Sequence, residues 1–476
     1  MAAERVSRDM DSLMSRIGMR SPSSRLSRLR VTAFLLAVGF SAQIATLDAD
    51  DWPQWRGEDR LAVWAETGIV EELPTELKVS WKTPVKSGYS GPAVSNGRVF
   101  VTDWEEDPDS RTMDGTERAL ALDEVTGEIL WATEWNTTYR MLMGSYAIGP
   151  RATPTVDGDR VYVTGAAGVL ICLDVETGAI LWQKDYRAEY DSFVPTWGVA
   201  SAPLVDGDRL IAVVGGEPGA LVVAFDKRTG NELWRAVDVV GEMGYGQPVI
   251  YDAGGVRQLI VWHAAALVSL NPETGEVYWE EAWDVGMGVS VATPVKSGDY
   301  LLVSQFYYGS MMMRLSQDRP AATLLWKGAS RSEMPDETDG LHAMITTPVV
   351  SGEYVYGVGS YGELRGLSAR TGERLWMSPA LAAQSRWGAA FMVRNGDRYF
   401  VNNDEGALIM AQFTPTGYIE LGRTRLLEPT SSAGYGRRRS FDRLVNWSHP
   451  AYANGHIIYR NDHEIARASL RTVDYE

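Results

Sequence analysis

The chain contains a single cysteine, Cys172, among its 476 residues. One cysteine cannot form an intramolecular disulfide, and its place within an apolar run predicts a small buried side chain. The five histidines show no His-x-x-x-His spacing, so no dedicated zinc site is expected. The sequence also lacks a glycine-rich phosphate loop and a Gly-x-Ser-x-Gly nucleophile elbow. These absences exclude the usual signatures of zinc enzymes, nucleotide-binding proteins and α/β-hydrolases.

Positive charge is scarce as well. The chain has 45 Lys and Arg against 62 Asp and Glu, a formal net charge of -17. Nucleic acids and anionic membrane surfaces are bound mainly through lysine and arginine. We therefore expect neither as a partner, and the negative charge favours solubility.

Long apolar runs are missing outside the N-terminus. There, Arg25, Arg28 and Arg30 precede a short apolar stretch that begins at Val31 and reaches about Ala45. This arrangement is typical of a secretory signal, and the stretch is short of the roughly 20 residues of a membrane span. We predict a leader over residues 1–45 and an exported, periplasmic or extracellular protein. An uncleaved leader acting as a membrane anchor is the alternative, and no cysteine follows the run to support a lipoprotein anchor.

The sequence is rich in one repeated pattern. It reads Pro-x-Val, a polar turn with glycine, two β-runs of which the second ends in Leu-Asp, and then Thr-Gly-x-x-x-Trp. The clearest copy covers residues 153–182. The closing tryptophans recur at a spacing of roughly 50 residues, and we expect each to pack between neighbouring repeats: Trp131, Trp182, Trp234, Trp279, Trp326 and Trp376.

Counting the repeats predicts the architecture, because repeats of fixed period decide the fold. Eight copies open, including a degenerate one over residues 390–418, but the last copy lacks its closing strand. A matching strand exists at residues 78–83. Each copy holds about four β-runs separated by turns such as Asp-Gly-Asp. We predict an all-β, eight-bladed β-propeller of four-stranded blades over residues 78–470, closed by the N-terminal strand, with residues 46–77 as an N-terminal extension. Seven blades is the alternative, because the seventh copy is weak.

The residues Val161-Tyr162-Val163, Leu173-Asp174, Thr177-Gly178 and Trp182 resemble the repeat of the PQQ-like (pyrrolo-quinoline quinone) β-propellers. The resemblance covers about residues 52–470. That superfamily includes quinoprotein alcohol dehydrogenases and a non-enzymatic propeller of the outer-membrane β-barrel assembly machinery. The repeat is therefore specific for the fold and says little about function.

The resemblance implies a quinone site only in part. In the dehydrogenases PQQ lies over the channel with Ca²⁺ held by Glu, Asn and Asp, and often beneath a vicinal disulfide. One cysteine rules out that disulfide, and the segments before the inner strands offer no clear Glu and Asn pair. Asn446 alone is a weak ligand. No catalytic residue is transferred and no metal site is predicted, so PQQ and calcium are expected only under an enzyme alternative.

Two groups of residues remain as binding candidates. Loops that precede inner strands converge at one mouth of a propeller channel, and aromatic and arginine side chains often anchor binding patches. The rim candidates are Tyr89, Arg151, Trp197, Tyr245, Gln247, His342, Arg386, Trp387, Asn446, Trp447 and His449. An arginine-rich insert offers anion-binding candidates, since guanidinium groups bind carboxylates and phosphates: Arg437, Arg438, Arg439 and Arg443.

The sequence favours an exported, non-catalytic propeller that binds a protein, peptide or polysaccharide at its channel mouth. We expect it to be a monomer. A PQQ-dependent alcohol or sugar dehydrogenase is the alternative. A β-barrel assembly factor is the weaker alternative, because a lipoprotein cysteine is missing. The sequence does not identify the ligand.

Overall fold

The computed structural model describes residues 50–239, 241–434 and 443–476. The predicted leader over residues 1–45 lies outside the described residues. The described chain is almost entirely β-structure, arranged as eight four-stranded antiparallel sheets. In the described residues there is no helix that is both long and apolar enough to span a membrane.

The strands follow the predicted repeats closely. The first strand is β1 (Val79–Pro84). Blade 1 contains β2 (Ala93–Ser95), β3 (Arg98–Glu106), β4 (Asp114–Asp123) and β5 (Ile129–Thr138). Blade 2 contains β6 (Thr155–Asp157), β7 (Arg160–Thr164), β8 (Val169–Asp174) and β9 (Ile180–Asp185), followed by the short helix α1 (Tyr186–Tyr190). Blade 3 contains β10 (Leu204–Asp206), β11 (Arg209–Gly216), β12 (Ala220–Asp226) and β13 (Glu232–Ala236).

The middle blades repeat this order. Blade 4 contains β14 (Val249–Ala253), β15 (Val256–Trp262), β16 (Ala266–Leu270) and β17 (Val277–Ala282). Blade 5 contains β18 (Val295–Ser297), β19 (Tyr300–Gln305), β20 (Gly309–Leu315) and β21 (Ala322–Lys327). Blade 6 contains β22 (Val349–Ser351), β23 (Tyr354–Val358), β24 (Leu364–Ser368) and β25 (Arg374–Ser378).

The last blades include the degenerate copy. Blade 7 contains β26 (Ala390–Asn395), β27 (Arg398–Asn403), β28 (Ala407–Thr414) and β29 (Gly417–Arg425). A two-stranded ribbon of β30 (Ser431–Ser432) and β31 (Leu444–Val445) follows it. Blade 8 contains β32 (Ala451–Ala453), β33 (His456–Arg460) and β34 (Glu464–Ser469). The weak seventh copy therefore forms a complete blade, and the count of eight is confirmed.

The ring is closed as the repeat count predicts. Strand β1 pairs antiparallel with β34 and becomes the outermost strand of blade 8, with Trp81 opposite Arg467 and Thr83 opposite Ile465. Closure leaves no open end of the ring at blade 8, and thereby protects β34, which would otherwise be an unpaired edge.

The closing tryptophans join neighbouring blades. In blade 1, the indole N–H of Trp131 donates a 3.0 Å hydrogen bond to the carbonyl of Val175 in blade 2. The indole of Trp131 also covers Gly178, where an added Cβ would lie 2.6 Å from the indole. The same pairing joins Trp81 to Gly127 and Trp182 to Gly230. The Thr-Gly of one repeat thus accommodates the tryptophan of the preceding repeat. The packing of Trp131 and Trp182 between neighbouring blades is as the sequence predicts.

The N-terminal extension lies in the channel of the propeller, against the inner strands. Trp52 exchanges two backbone hydrogen bonds of 2.9 Å with Val94 on β2, and the amide of Trp64 donates to the carbonyl of Arg394 on β26. The fully buried Arg60 donates to the carbonyls of Pro203 (2.7 Å) and Pro248 (2.8 Å). This segment, residues 50–66, contacts the inner strands of several blades and is called the channel plug below.

A candidate binding pocket at the channel mouth

The channel mouth opposite the plug is a pocket with a volume of about 260 Å³. Each innermost strand begins on this face, so the loops that precede the inner strands supply most of the wall. Half of the eighteen lining residues are aromatic, and none is an aspartate or glutamate. The wall consists of Trp55, Tyr89, Tyr146, Arg151, Trp197, Ala200, Tyr245, Gln247, Met287, Val289, Val291, Tyr307, Met344, Ile345, Arg386, Trp387, Phe391 and Trp447.

Most of the rim candidates meet in this pocket. Eight of the eleven line it, and the structure brings them together from six blades: Tyr89, Arg151, Trp197, Tyr245, Gln247, Arg386, Trp387 and Trp447. Their position agrees with the rule that loops before inner strands converge. Ligand binding by these side chains stays a prediction.

The other three rim candidates lie outside the pocket wall. His342 is buried, with Nδ1 2.8 Å from the carbonyl of Phe306. His449 is buried under the plug, where its ring lies 5.0 Å from that of Trp55. Asn446 uses its side-chain oxygen to accept a hydrogen bond from the amide of Ser448. All three residues precede inner strands, as expected. Their side chains make packing contacts or local hydrogen bonds and do not line the pocket.

Arg151 is held against Tyr89 with part of its guanidinium unused. Its Nε donates to the Tyr89 hydroxyl, and its charge centre lies 5.0 Å from the Tyr89 ring. Nη2 donates to the carbonyl of Ala147 at 3.3 Å, whereas the buried Nη1 has no hydrogen-bond partner in the described residues. No carboxylate in the described parts of the chain forms an ion pair with Arg151. Buried donors without acceptors are costly, and Nη1 is such a donor.

Glu117 is a buried acid whose pKa depends partly on the charge of Arg151. Burial raises the pKa of its carboxyl group, and hydrogen bonds and the charge of Arg151 lower that pKa by a smaller amount. The carboxylate accepts from the Tyr139 hydroxyl (2.5 Å), the Trp135 indole (2.7 Å) and the Ala166 amide (2.8 Å). Glu117 is therefore fully engaged in the blade and supplies no direct partner for Arg151.

The second pocket arginine is already neutralised. Arg386 forms a 2.7 Å ion pair with Glu333, and its charge centre lies 4.3 Å from the Trp387 ring. The Trp387 ring in turn packs on Phe306 with a centroid separation of 4.6 Å. The cation–π contact and the tilted ring contact together fix the indole at the pocket wall.

Trp387 is also held in a costly backbone conformation. Its φ of 69° lies in the left-handed region, which bulky residues rarely adopt. Its amide donates to the carbonyl of Ser360 at 2.6 Å. Met287, another lining residue, has a φ of 57°. Such conformations cost about 1–3 kcal/mol and are frequent at ligand-binding sites. The backbone strain at Trp387 therefore accompanies an indole ring that its neighbours hold in one position at the pocket wall.

Two of the lining candidates, Gln247 and Tyr245, form hydrogen bonds within the protein. Gln247 links blades 3 and 4, because its oxygen accepts from the Ala202 amide at 2.6 Å and its nitrogen donates to the Ala200 carbonyl at 2.8 Å. The Tyr245 hydroxyl donates to Glu242 at 2.8 Å. Burial and the nearby Glu242 raise the pKa of Tyr245, so this phenol stays neutral.

The arginine-rich insert is only partly described. Arg437, Arg438 and Arg439 lie outside the described residues. Arg443 is described, and its Nη2 forms a 2.5 Å ion pair with the buried Asp404. Burial raises the pKa of Asp404 to about 6, despite the opposing charge of Arg443. Arg443 therefore has a carboxylate partner within the protein, and its role as an anion-binding residue stays a prediction.

Several pocket residues were not foreseen from the sequence. The apolar residues Met287, Val289, Met344 and Ile345 precede inner strands as the predicted residues do, but nothing in an apolar side chain distinguishes it from a core residue in the sequence. Trp55 belongs to the plug and enters the pocket from the other end. Its signal was available: Trp52 and Trp55 lie before the first repeat, where the repeat pattern does not require tryptophan.

The lining does not fit a calcium–quinone site. Ca²⁺ needs several oxygen ligands, usually including carboxylates, and the pocket wall contains none. In the described residues, no group of three or more His, Cys, Asp or Glu is arranged to hold a metal ion. The charged side chains of the wall are those of Arg151 and Arg386, and both are cations.

A sequence profile for the family described as outer membrane protein assembly factor BamB matches residues 115–378, more than half of the chain. The chain belongs to this family of PQQ-like repeat β-propellers. The outer membrane protein assembly factor BamB of Yersinia pestis is 25% identical over 289 residues, which cover 58% of this chain and 69% of that protein.

Other PQQ-like repeat propellers match over shorter stretches or in fold alone. Quinoprotein ethanol dehydrogenase of Pseudomonas aeruginosa is 28% identical over 144 residues, covering 28% of this chain and 22% of that enzyme. The crystal structure of BamB from Moraxella catarrhalis superimposes with a TM-score of 0.51 at 14% identity, covering 83% of this chain and 100% of that one. Quinohemoprotein alcohol dehydrogenase from Comamonas testosteroni gives 0.55 at 14% identity, covering 88% and 80%. These structural likenesses establish the shared propeller fold.

Proposed function

We propose that this PQQ-like repeat propeller is an exported, non-catalytic binding protein that holds a partner polypeptide at its channel mouth and assists outer-membrane protein assembly. The observation that carries the proposal is the pocket: an aromatic wall with arginine donors and no carboxylate. Aromatic and arginine side chains anchor protein interfaces. The family match and the relatives named as outer membrane protein assembly factors support the assembly role.

Exposed apolar side chains around the pocket support a polypeptide partner over a small molecule. Met287 is 64% exposed and Phe193 is 65% exposed, and both lie in loops that precede inner strands on the pocket face. Methionine adapts to irregular partner surfaces. A partner that inserts one side chain into the pocket can cover these rim residues as well.

Affinity capture from the cross-linked cell envelope of the native host tests this proposal. The expected result is enrichment of subunits that insert β-barrel proteins into the outer membrane, with enrichment reduced at least fivefold for Met287→Glu. A matched control is Val125→Glu, which changes an exposed apolar residue in the β4–β5 turn on the opposite face. Failure to enrich such subunits contradicts the proposal.

A PQQ-dependent dehydrogenase is the second candidate, favoured by the match to quinoprotein ethanol dehydrogenase. Against it stands the lining without carboxylates. Reconstitution with PQQ and Ca²⁺ followed by dye-linked alcohol oxidation separates the two. Our proposal expects no turnover above that of a heat-denatured sample.

A further inference from the structure

The pocket wall leaves aromatic surface accessible to a ligand. Six of its nine aromatic residues are only half-buried: Trp55, Tyr89, Tyr146, Trp197, Tyr307 and Trp387. Apolar side chains in a protein interior are packed closely, with few voids larger than a water molecule. Aromatic surface that the fold leaves uncovered in a concave site is therefore available to a ligand.

Three of these rings meet edge to face. The Tyr146 ring lies 6.4 Å from that of Trp197 at an interplanar angle of 69°, and 6.3 Å from that of Trp387 at 81°. Aromatic rings prefer such arrangements because their faces are negative and their edges are positive. A further ring can add the same kind of contact to the accessible parts of these three, whereas an aliphatic side chain of equal size cannot. Met287 and Met344 in the same wall offer sulfur–aromatic contacts to such a ring.

The volume of the pocket suits a single ring system. The pocket has about 260 Å³, and a cavity of about 150 Å³ in a protein core is large enough to bind benzene. Sites that enclose drug-sized ligands have roughly 300–1,000 Å³. One side chain with one or two rings therefore fits the pocket, and the remainder of the partner lies outside it.

The charges of the wall disfavour a basic side chain. Aromatic sites also bind cations, through the negative faces of their rings. Here, however, the charged residues of the wall are Arg151 and Arg386, and the wall has no carboxylate to offset an added cation. Glu333 neutralises Arg386, so Arg151 is the charge that a lysine or arginine of the partner would meet. The pocket thus suits a neutral ring better than a cation.

The channel itself shows how such a wall holds a polypeptide. The rings of Trp52 and Trp55 in the channel plug lie 6.3 Å and 5.0 Å from that of His449, and the ring of Trp64 lies 5.2 Å from that of Tyr452. Trp52 and Trp64 are almost fully buried, at 2% and 1% exposure. Trp55 is half-buried and belongs to the pocket wall. A ring from a partner would continue this row of aromatic contacts in the pocket.

We propose that the pocket binds one uncharged aromatic side chain of the partner polypeptide, and that its half-buried rings select this side chain over an aliphatic or a basic one. The occupant is a phenylalanine, tyrosine or tryptophan side chain that enters from the mouth and packs against Tyr146, Trp197 and Trp387. This inference rests on the proposed function and specifies the chemistry of its partner.

Ligand-detected NMR titration of the full chain with short peptides tests the inference. The probes are acetylated and amidated nine-residue peptides of glycine and serine that differ only at the central residue, which is phenylalanine, tryptophan, cyclohexylalanine or lysine. Cyclohexylalanine keeps the size and apolar character of phenylalanine and lacks its π-system. We expect the two aromatic peptides to bind at least fivefold more tightly than the cyclohexylalanine peptide, and the lysine peptide to be the weakest.

Ala200→Trp locates the binding, because Ala200 lines the pocket and an indole there fills it. Ala132→Trp is the matched control, since Ala132 is exposed on the outer strand β5. We expect Ala200→Trp to weaken binding of the phenylalanine peptide at least tenfold and the control to leave it unchanged. Tyr146→Leu is a second variant, which keeps the wall apolar but removes one ring, and it should reduce the preference for phenylalanine over cyclohexylalanine.

Three results would overturn the inference. They are equal or tighter binding of the cyclohexylalanine or lysine peptide, unchanged binding of the phenylalanine peptide to Ala200→Trp, and no binding of any peptide at about 5 mM. Envelope capture that succeeds while the peptides fail leaves the proposed function intact. Aromatic selectivity that holds while envelope capture fails supports the inference and contradicts the assembly role.

Discussion

The indole N–H of Trp55 donates a 3.0 Å hydrogen bond to the side-chain oxygen of Thr293. Trp55 belongs to the channel plug, and Thr293 precedes the innermost strand of blade 5. Trp55 also contributes to the pocket wall. The N-terminal extension thus contacts the inner strands of several blades and also supplies part of the pocket wall.

This contact makes the plug energetically coupled to the ring. We expect Trp55→Phe and Thr293→Val to be non-additive, with a coupling energy of about 0.5–1.5 kcal/mol in a double-mutant cycle, because each single change removes the same hydrogen bond. Urea unfolding of the four proteins measures it. A coupling energy near zero contradicts the contact.

The tryptophan–glycine contact between blades gives a second expectation. Gly178→Ala places a Cβ 2.6 Å from the Trp131 indole at a φ of 71°. Gly158→Ala is a matched control in the same blade, since its φ is 57° and nothing lies within 4 Å. Both changes add backbone strain of about 1–2 kcal/mol, but only Gly178→Ala adds about 1–3 kcal/mol of overpacking. Equal losses in the free energy of unfolding contradict the contact.

His449 gives an expectation for pH. Burial lowers its pKa to about 3, against an ordinary value of 6.5. Below pH 6.5 the unfolded chain takes up a proton that the folded chain refuses, so this group lowers stability as pH falls towards 3. The loss reaches about 1.4 kcal/mol per pH unit. We expect His449→Phe to remove this component, so that the stability difference between variant and wild type changes between pH 7 and pH 4.

Urea unfolding at pH 7, 5 and 4 measures the effect of His449→Phe. Comparison of the two proteins cancels the contributions of other titrating groups, among them Asp404, whose raised pKa acts in the opposite direction. Parallel pH profiles would show that His449 is not buried in its neutral form.

The thiol of Cys172 is expected to be inert in the folded protein. The side chain is fully buried, and burial raises its pKa to about 11. The thiolate is the reactive form, so a thiol reagent should label the chain only after unfolding. Absorbance with an aromatic disulfide reagent in buffer and in urea measures this. Rapid labelling of the native protein contradicts the packing of β8.

The architecture was accessible from the sequence because each blade repeats the same local signals. Turns that contain glycine, alternating β-runs and closing tryptophans such as Trp131 recur in the clear copies. Counting them yields both the blade number and the pairing of β1 with β34. Even the degenerate seventh copy retained enough strand character to form blade 7. Repeated local signals reinforce one another.

The residues of the pocket could be predicted from the sequence only in part. Tyr89, Arg151 and Trp387 were found because their position before inner strands could be read directly. Trp55 could not be found in this way, since no repeat sets its position and only the folded plug carries it to the pocket. The sequence also could not reveal that Glu333 neutralises Arg386 while Arg151 has no such partner, because these contacts depend on side-chain geometry.

Site-directed cross-linking at the channel mouth tests the central claim most directly. Since Cys172 is buried, a cysteine introduced by Met287→Cys can be labelled with a photoactivatable benzophenone, and Val125→Cys on the opposite face is the matched control. We expect the Met287→Cys protein to cross-link an outer-membrane assembly partner in the native envelope and the control to yield less than a fifth as much. Equal cross-linking from both positions, or cross-linking from the control alone, would contradict a partner site at the aromatic pocket.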